Sequence, residues 1–157
     1  TISSIFIDFG PITPGAPVTR TNLLTVSNGS AYGYTVLARE NHPLRVLESG
    51  ISIPDTTCDT GTCNESASAS WTSLTTFGFG YRCDNITGTD CASGFSGPND
   101  YKQFASSESA ELAQPVMQGS NVGRNIQAQV TYKVNISSTQ AAGAYQNTIT
   151  YIALPTI

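Results

Sequence analysis

The sequence predicts an all-β chain: a Greek-key or Ig-like β-sandwich with disulfide-stapled loop insertions, built as a single domain over residues 1–157. Three observations predict it. Apolar and polar residues alternate with period two along several segments, turn residues separate those segments, and helical periodicity is almost absent. The alternation is clearest at 126–136, where Ile126, Ala128, Val130, Tyr132, Val134 and Ile136 interleave with Gln127, Gln129, Thr131, Lys133 and Asn135. That pattern is a half-buried strand, and a one-residue slip would turn its apolar row to water.

The remaining elements follow in chain order. Ile2, Ile5, Ile7 and Phe9 mark an apolar strand at 1–9, and the Pro/Gly-rich stretch 10–17 reads as a linker. A strand is expected at Val18–Ser27 and another at Tyr32–Arg39, with Tyr32, Tyr34 and Val36 on one face. Asn28-Gly29 between them signals a hairpin. Shorter strands are expected at Leu44–Glu48 and Phe77–Cys83, and a weak helix at Ser106–Gln114. After a turn at Ser137–Gly143, a last strand is expected at Ala144–Leu154, paired with 126–136 as a long hairpin. Ile152 and Leu154 interrupt its polar face, so that end is expected to be covered on both sides. Gln140–Tyr145 enters this strand in the manner of a tyrosine corner.

Residues 54–70 and 84–112 are rich in Ser, Thr, Asp, Asn and Gly, and read as surface insertions. Cys58, Cys63, Cys83 and Cys91 lie at their edges. The spacings are unlike the short pairs of zinc sites, and His42 is the sole His. Two disulfides are therefore expected, paired locally as Cys58–Cys63 and Cys83–Cys91, which implies an oxidising compartment.

Composition narrows the function. Only 11% of residues are charged, while 18 Ser and 20 Thr solvate the surface. Seven scattered cations in a chain of net charge −4 cannot form the basic stripe that nucleic acid requires. No apolar run is long enough for a membrane span. The chain opens at Thr1 without Met, from which removal of a signal peptide and an extracellular or cell-surface location are expected.

No residue set points to catalysis, a cofactor or a metal. His42, in Asn41-His42-Pro43, has no nucleophile-elbow motif to serve and reads as a loop residue. The carboxylates are dispersed. Asp84–Asp90 offers calcium-type oxygen ligands, but without EF-hand spacing and in a turn that the cysteines already explain. Trp71, with Phe77, Phe79 and Tyr81, could form a carbohydrate-stacking platform; the alternation favours core. Among the Asn-x-Ser/Thr sequons, the loop positions Asn64 and Asn85 are the candidate glycosylation sites.

Several motifs carry a resemblance. Phe9-Gly10, Pro14-Gly15, Leu24–Ser27, Gly33–Val36, Phe77–Asp84, Gln140–Tyr145 and Thr148–Thr150 resemble surface proteins of small-genome candidate-phylum bacteria. More loosely, the layout is similar to spore-coat-U and archaic chaperone–usher pilins and to camelysin/TasA-type fibre proteins. The resemblance implies a non-enzymatic subunit of an extracellular filament, pilus or surface layer, a self-assembling homo-oligomer. Such subunits join by strand donation, which makes Thr1–Phe9 the donor, with Val18–Ser27 and Ile126–Ile136 among the acceptor strands. The alternative is a monomeric adhesion module that binds surface glycans or other cells through 54–70 and 84–112, with Trp71 or Tyr101 as contacts.

Overall fold

The computed structural model describes residues 1–157 and contains strands and no helix. In chain order the strands are β1 (Val18–Asn28), β2 (Tyr34–Glu40), β3 (Ala69–Ser70), β4 (Gly78–Thr87), β5 (Asp100–Tyr101), β6 (Gln114–Gly119), β7 (Gly123–Asn135) and β8 (Ile149–Pro155). They form two antiparallel three-stranded sheets, ordered β1-β7-β4 and β6-β2-β8, with β3 and β5 paired separately.

The alternating segment is β7, the centre of the first sheet. Ala128, Val130, Tyr132 and Val134 are buried in one core with Leu24 of β1, Phe79 and Tyr81 of β4, and Tyr34, Val36 and Ala38 of β2. Because both sheets feed this core, the fold is a sandwich. Phe104 stacks on Tyr81 at 4.1 Å between ring centroids, and the Tyr132 and Tyr151 hydroxyls meet across the layers at 2.7 Å.

The connections differ from the two expected hairpins. β7 pairs with β1 and β4, whereas β8 pairs with β2 in the other sheet. Both edges of β7 are taken by strands of matching length, so β8 has no place beside it. Asn28-Gly29 does not close a hairpin either. Gly29 lacks the positive φ that a tight hairpin turn needs, and the chain instead crosses between sheets and turns at Gly33, φ 88°. A Cβ at Gly33 would meet the Gly119 carbonyl oxygen, so that position admits only glycine. Leu44–Glu48 is not a strand but a tight loop with two isolated bridges at Arg45, to Ser52 and to Gln146. At 106–114 the chain turns, with Ala110 at φ 60°, and forms no helix before β6 begins. The last strand starts at Ile149 because Tyr145 is held in a tyrosine corner, its hydroxyl donating to the Ala141 carbonyl at 2.6 Å.

The segment at 1–9 is also not a regular strand. Only Ile2 bridges to Leu24, with the Ser3 amide on the Leu23 carbonyl and the Thr25 amide on the Thr1 carbonyl. The serines explain the break. The Ser4 amide donates to Asn22 Oδ1, Asn22 Nδ2 donates back to the Ser4 carbonyl, and the Ser4 hydroxyl donates to the Phe6 carbonyl. These local bonds lift the backbone off the ladder. Ile2, Ile7 and Phe9 pack on the core, while Ile5 is 96% exposed and Phe6 77% exposed.

Both predicted disulfides form, Cys58–Cys63 and Cys83–Cys91. The first insertion is not a free surface loop, however. Thr56, Cys58, Cys63 and Trp71 are buried, and with Tyr101 they cover the outer face of the first sheet. There Lys133 donates to the Trp71 carbonyl at 2.8 Å and lies 4.5 Å from the indole, and Asn135 Nδ2 donates to the Leu74 and Thr76 carbonyls. Gly78 and Gly80 permit the approach: a Cβ at Gly80 would fall 2.7 Å from Thr56 Cγ2 and 2.8 Å from the Lys102 carbonyl. Replacement Gly80→Ala should therefore destabilise the fold by about 1–3 kcal/mol in denaturant titration, the range of an overpacked interior.

Candidate functional site

Each outer strand of a two-sheet sandwich presents a row of unpaired backbone groups, and what occupies each row decides where another chain could add. β4 is covered. Thr56 donates to the Phe79 carbonyl, Phe79 donates to Pro54, and Tyr81 exchanges two bonds with Lys102. β6 is covered by 90–92, through Ala92 to the Val116 carbonyl and Gln118 to the Asp90 carbonyl. The Cys83–Cys91 bond ties that strap to β4, linking one sheet to the edge of the other.

β1 is covered by part of segment 1–9. Ladder contact is confined to residues 1–3; Arg20 then donates to the Asp8 and Phe9 carbonyls, and the Phe9 ring meets Phe79 edge-on with centroids 6.2 Å apart. The linker returns through Gly10 and Gly15, both at positive φ, to the start of β1. The donor residues named from the sequence thus divide. Ile2, Ile7 and Phe9 face the core in cis, and Ile5 points to solvent. Of the two acceptors expected, β1 has an edge and β7 has none, since β1 and β4 flank it on both sides.

The other residues singled out by motif or composition lie elsewhere. Trp71 is wholly buried and Tyr101 is 7% exposed, so neither face is free to stack a sugar. Phe79 and Tyr81 are core, and Phe77 is partly exposed. Asn64 and Asn85 are both exposed. In the 84–90 loop, Asp84 pairs with Arg82, Asp90 accepts from the Tyr34 hydroxyl at 2.8 Å, and Asn85 Oδ1 accepts from the Cys91 amide. The oxygens are engaged in closing the turn. His42 Nδ1 lies 2.8 Å from the Pro43 carbonyl.

One arrangement was not foreseen from the sequence. Glu40 continues the inward face Tyr34, Val36, Ala38 and is fully buried. It faces Asp55 and receives a 2.8 Å bond from Asn147 Nδ2. Glu40 Oε1 and Asp55 Oδ1 are buried without a hydrogen-bond donor, an arrangement that favours keeping a proton on the pair. Burial, reinforced by the neighbouring Asp55 carboxylate, raises Glu40 far above the ordinary carboxyl range; burial also raises Asp55. The depressions beside Asp90 and beside Cys91 do not include this pair. It lies inside the core, where β2 meets the first insertion. The alternation of apolar residues ending in an acid was the one signal for it in the sequence.

In comparisons with protein-family models, with curated proteins and with solved structures, nothing matches the chain. No helix is long and apolar enough to cross a membrane. The two disulfides are bonds that an oxidising compartment produces and maintains.

The buried pair sets a pH dependence. Both carboxyls hold their proton more tightly folded than unfolded, so this pair's contribution to stability is fully present below the ordinary carboxyl range. It declines as pH rises from the ordinary carboxyl range through the raised folded values. Melting temperature should fall between about pH 5 and about pH 10, and Glu40→Gln should flatten most of that slope. Thermal melts across this range check it.

Proposed function

We propose that this protein is a non-enzymatic structural subunit of an extracellular filament, pilus or surface layer. It assembles when segment 1–9 leaves its own β1 edge and occupies the same edge on a neighbour. The observation that carries this reading is how β1 is closed. A segment with short ladder contact, and with two large apolar side chains in solvent, covers an edge that a paired strand would otherwise hold. The 10–17 stretch supplies the hinge, with Gly10 and Gly15 at positive φ.

Exchange conserves the contacts. Ile2, Ile7 and Phe9 would meet the same β1 edge and the same Phe79 ring whether the segment comes from the same chain or from another. The balance then turns on association entropy against whatever Ile5 and Phe6 bury between subunits. Burying each of these side chains fully contributes about 1.5–3 kcal/mol. Each subunit donates once and accepts once through different surfaces, so the contact is head-to-tail, the type that propagates into a fibre.

A cis lock tests the mechanism. Ser3 and Leu23 are opposed in the short ladder, the Ser3 amide donating to the Leu23 carbonyl and the Leu23 amide to Ser3 Oγ. Opposed antiparallel residues lie about 4.5–5.5 Å apart between Cα atoms, which a disulfide spans. The variant Ser3→Cys/Leu23→Cys, oxidised, should form no filaments under conditions in which the parent chain does, while keeping the parent's circular dichroism. Filaments from the locked chain at the parent's yield would overturn strand donation.

A further inference from the structure

β8 differs from the other edges: nothing in the chain covers it. Its inner side is fully used. The Thr156 amide donates to the Gly33 carbonyl and the Asn41 amide to the Thr148 carbonyl, which fixes the alternation along the β2–β8 register. Thr150, Ile152 and Leu154 therefore aim their backbone groups at β2. Ile149, Tyr151 and Ala153 aim theirs outward, where no backbone partner meets them. Pro155, the next outward position, has no N–H and ends the row.

The side chains of β8 itself are uncharged and mostly apolar, and the nearest charge on this face is the exposed Arg39 of β2, opposite Thr150 and one strand in from the edge. Tyr151 turns inward to Tyr132, so Thr150, Ile152 and Leu154 lie on the outer face. Leu154 is 48% exposed, and the register places Ile152 opposite Leu37, itself opposite Pro115 of β6. These four make a half-exposed apolar strip running to the open edge. From Val134 to Ile157 there is not one Asp, Glu, Lys or Arg. The charges, prolines and bulges with which edge strands commonly repel additions are absent between Ile149 and Leu154.

We propose that the β8 edge is a self-association site, at which two copies of the chain pair β8 to β8, antiparallel about a two-fold axis. The occupant follows from charge and symmetry. A two-fold contact brings the same patch of both copies together, so between molecules of net charge −4 a seam without charged side chains meets no like-charge repulsion. The uncharged C-terminal strand is such a surface. With the axis at Tyr151, the outward amides and carbonyls of Tyr151 complement those of its own copy and Ile149 pairs with Ala153 of the other copy, while Ile152 and Leu154 pack across the seam. The two three-stranded sheets become one six-stranded sheet. This contact is independent of segment 1–9, which lies on the other sheet, and it would join filaments side by side or link subunits in pairs.

The experiment uses the full chain locked by Ser3→Cys/Leu23→Cys, in which strand donation is blocked, and follows sedimentation velocity over a range of concentration. A reversible dimer is expected. In that background Ala153→Pro removes an outward N–H that β2 does not use, and Ile152→Lys sets like charges across the seam. Each should weaken the dimer by about tenfold or more, with the thermal melt of the monomer preserved. If Ala153→Pro unfolds the chain, Ile152→Lys alone decides. A locked chain that stays monomeric at every concentration, or a dimer that Ile152→Lys leaves unchanged, would overturn the proposal. Neither result bears on strand donation, which is read from filament formation in the unlocked chain.

Discussion

A β-sheet leaves unpaired amides and carbonyls along each outer strand, and a small sandwich must cover those rows or offer them to another chain. The non-regular part of this protein is organised by that constraint. Residues 54–56 and Lys102 close β4, residues 90–92 close β6, and residues 1–3 close β1. Each disulfide sits where a covering segment must be held. Cys83–Cys91 anchors the strap on β6 to the opposite sheet, and Cys58–Cys63 closes the turn that leads to Trp71. The covering of β1 is held otherwise, by Asn22 with Ser3 and Ser4, by Arg20 and by the Phe9 ring, without a covalent bond. The difference between stapled and unstapled covers is the physical basis for proposing that segment 1–9 moves and that the others do not.

The same constraint accounts for burial that composition conceals. The Ser- and Thr-rich first insertion lies on the outer face of β4 and β7, so Lys133 and Asn135 are buried although they alternate with the core residues. Both are satisfied there, Lys133 by a carbonyl and an indole face and Asn135 by two carbonyls, as buried polar groups must be. Glu40 and Asp55 meet a comparable problem by holding their protons, burial raising both carboxyls above the ordinary range. A sandwich with little charge on its surface thus keeps several polar groups inside, where they fix how the insertion sits on the sheet.

Much of this was legible in the sequence, and the limits have physical causes. Ile126–Ile136 specified β7 and its inward face because a period-two pattern admits a single register. Val18–Ser27 was legible as a strand, β1, though without its partner, and short loops with turn residues specified both disulfides. Partners were harder to read. The alternation in 144–154 shows that a strand has two faces, but says nothing of which sheet receives it, so the expected hairpin with β7 was replaced by pairing with β2. Asn28-Gly29 has the composition of a hairpin turn, yet Gly33 is the glycine that the crossing requires. Gly78 and Gly80, spaced two apart in β4, marked the face on which the insertion packs. Ser3 and Ser4 carry the local bonds that take the first segment off its ladder, which alternation alone does not show. Ile152 with Leu154, expected to mark an end covered on both sides, instead lie on an outer face that the chain leaves open, with Leu154 48% exposed.

These elements combine in one account: a disulfide-braced sandwich with one edge closed by a detachable segment and another left open to a second copy. The proposed role as an assembling structural subunit depends on the first of these edges. Negative-stain electron microscopy of the purified full-length chain, over a range of concentration, tests it most directly. The account predicts filaments with a regular subunit repeat. A field of single particles of one-chain or two-chain size at every concentration would contradict it.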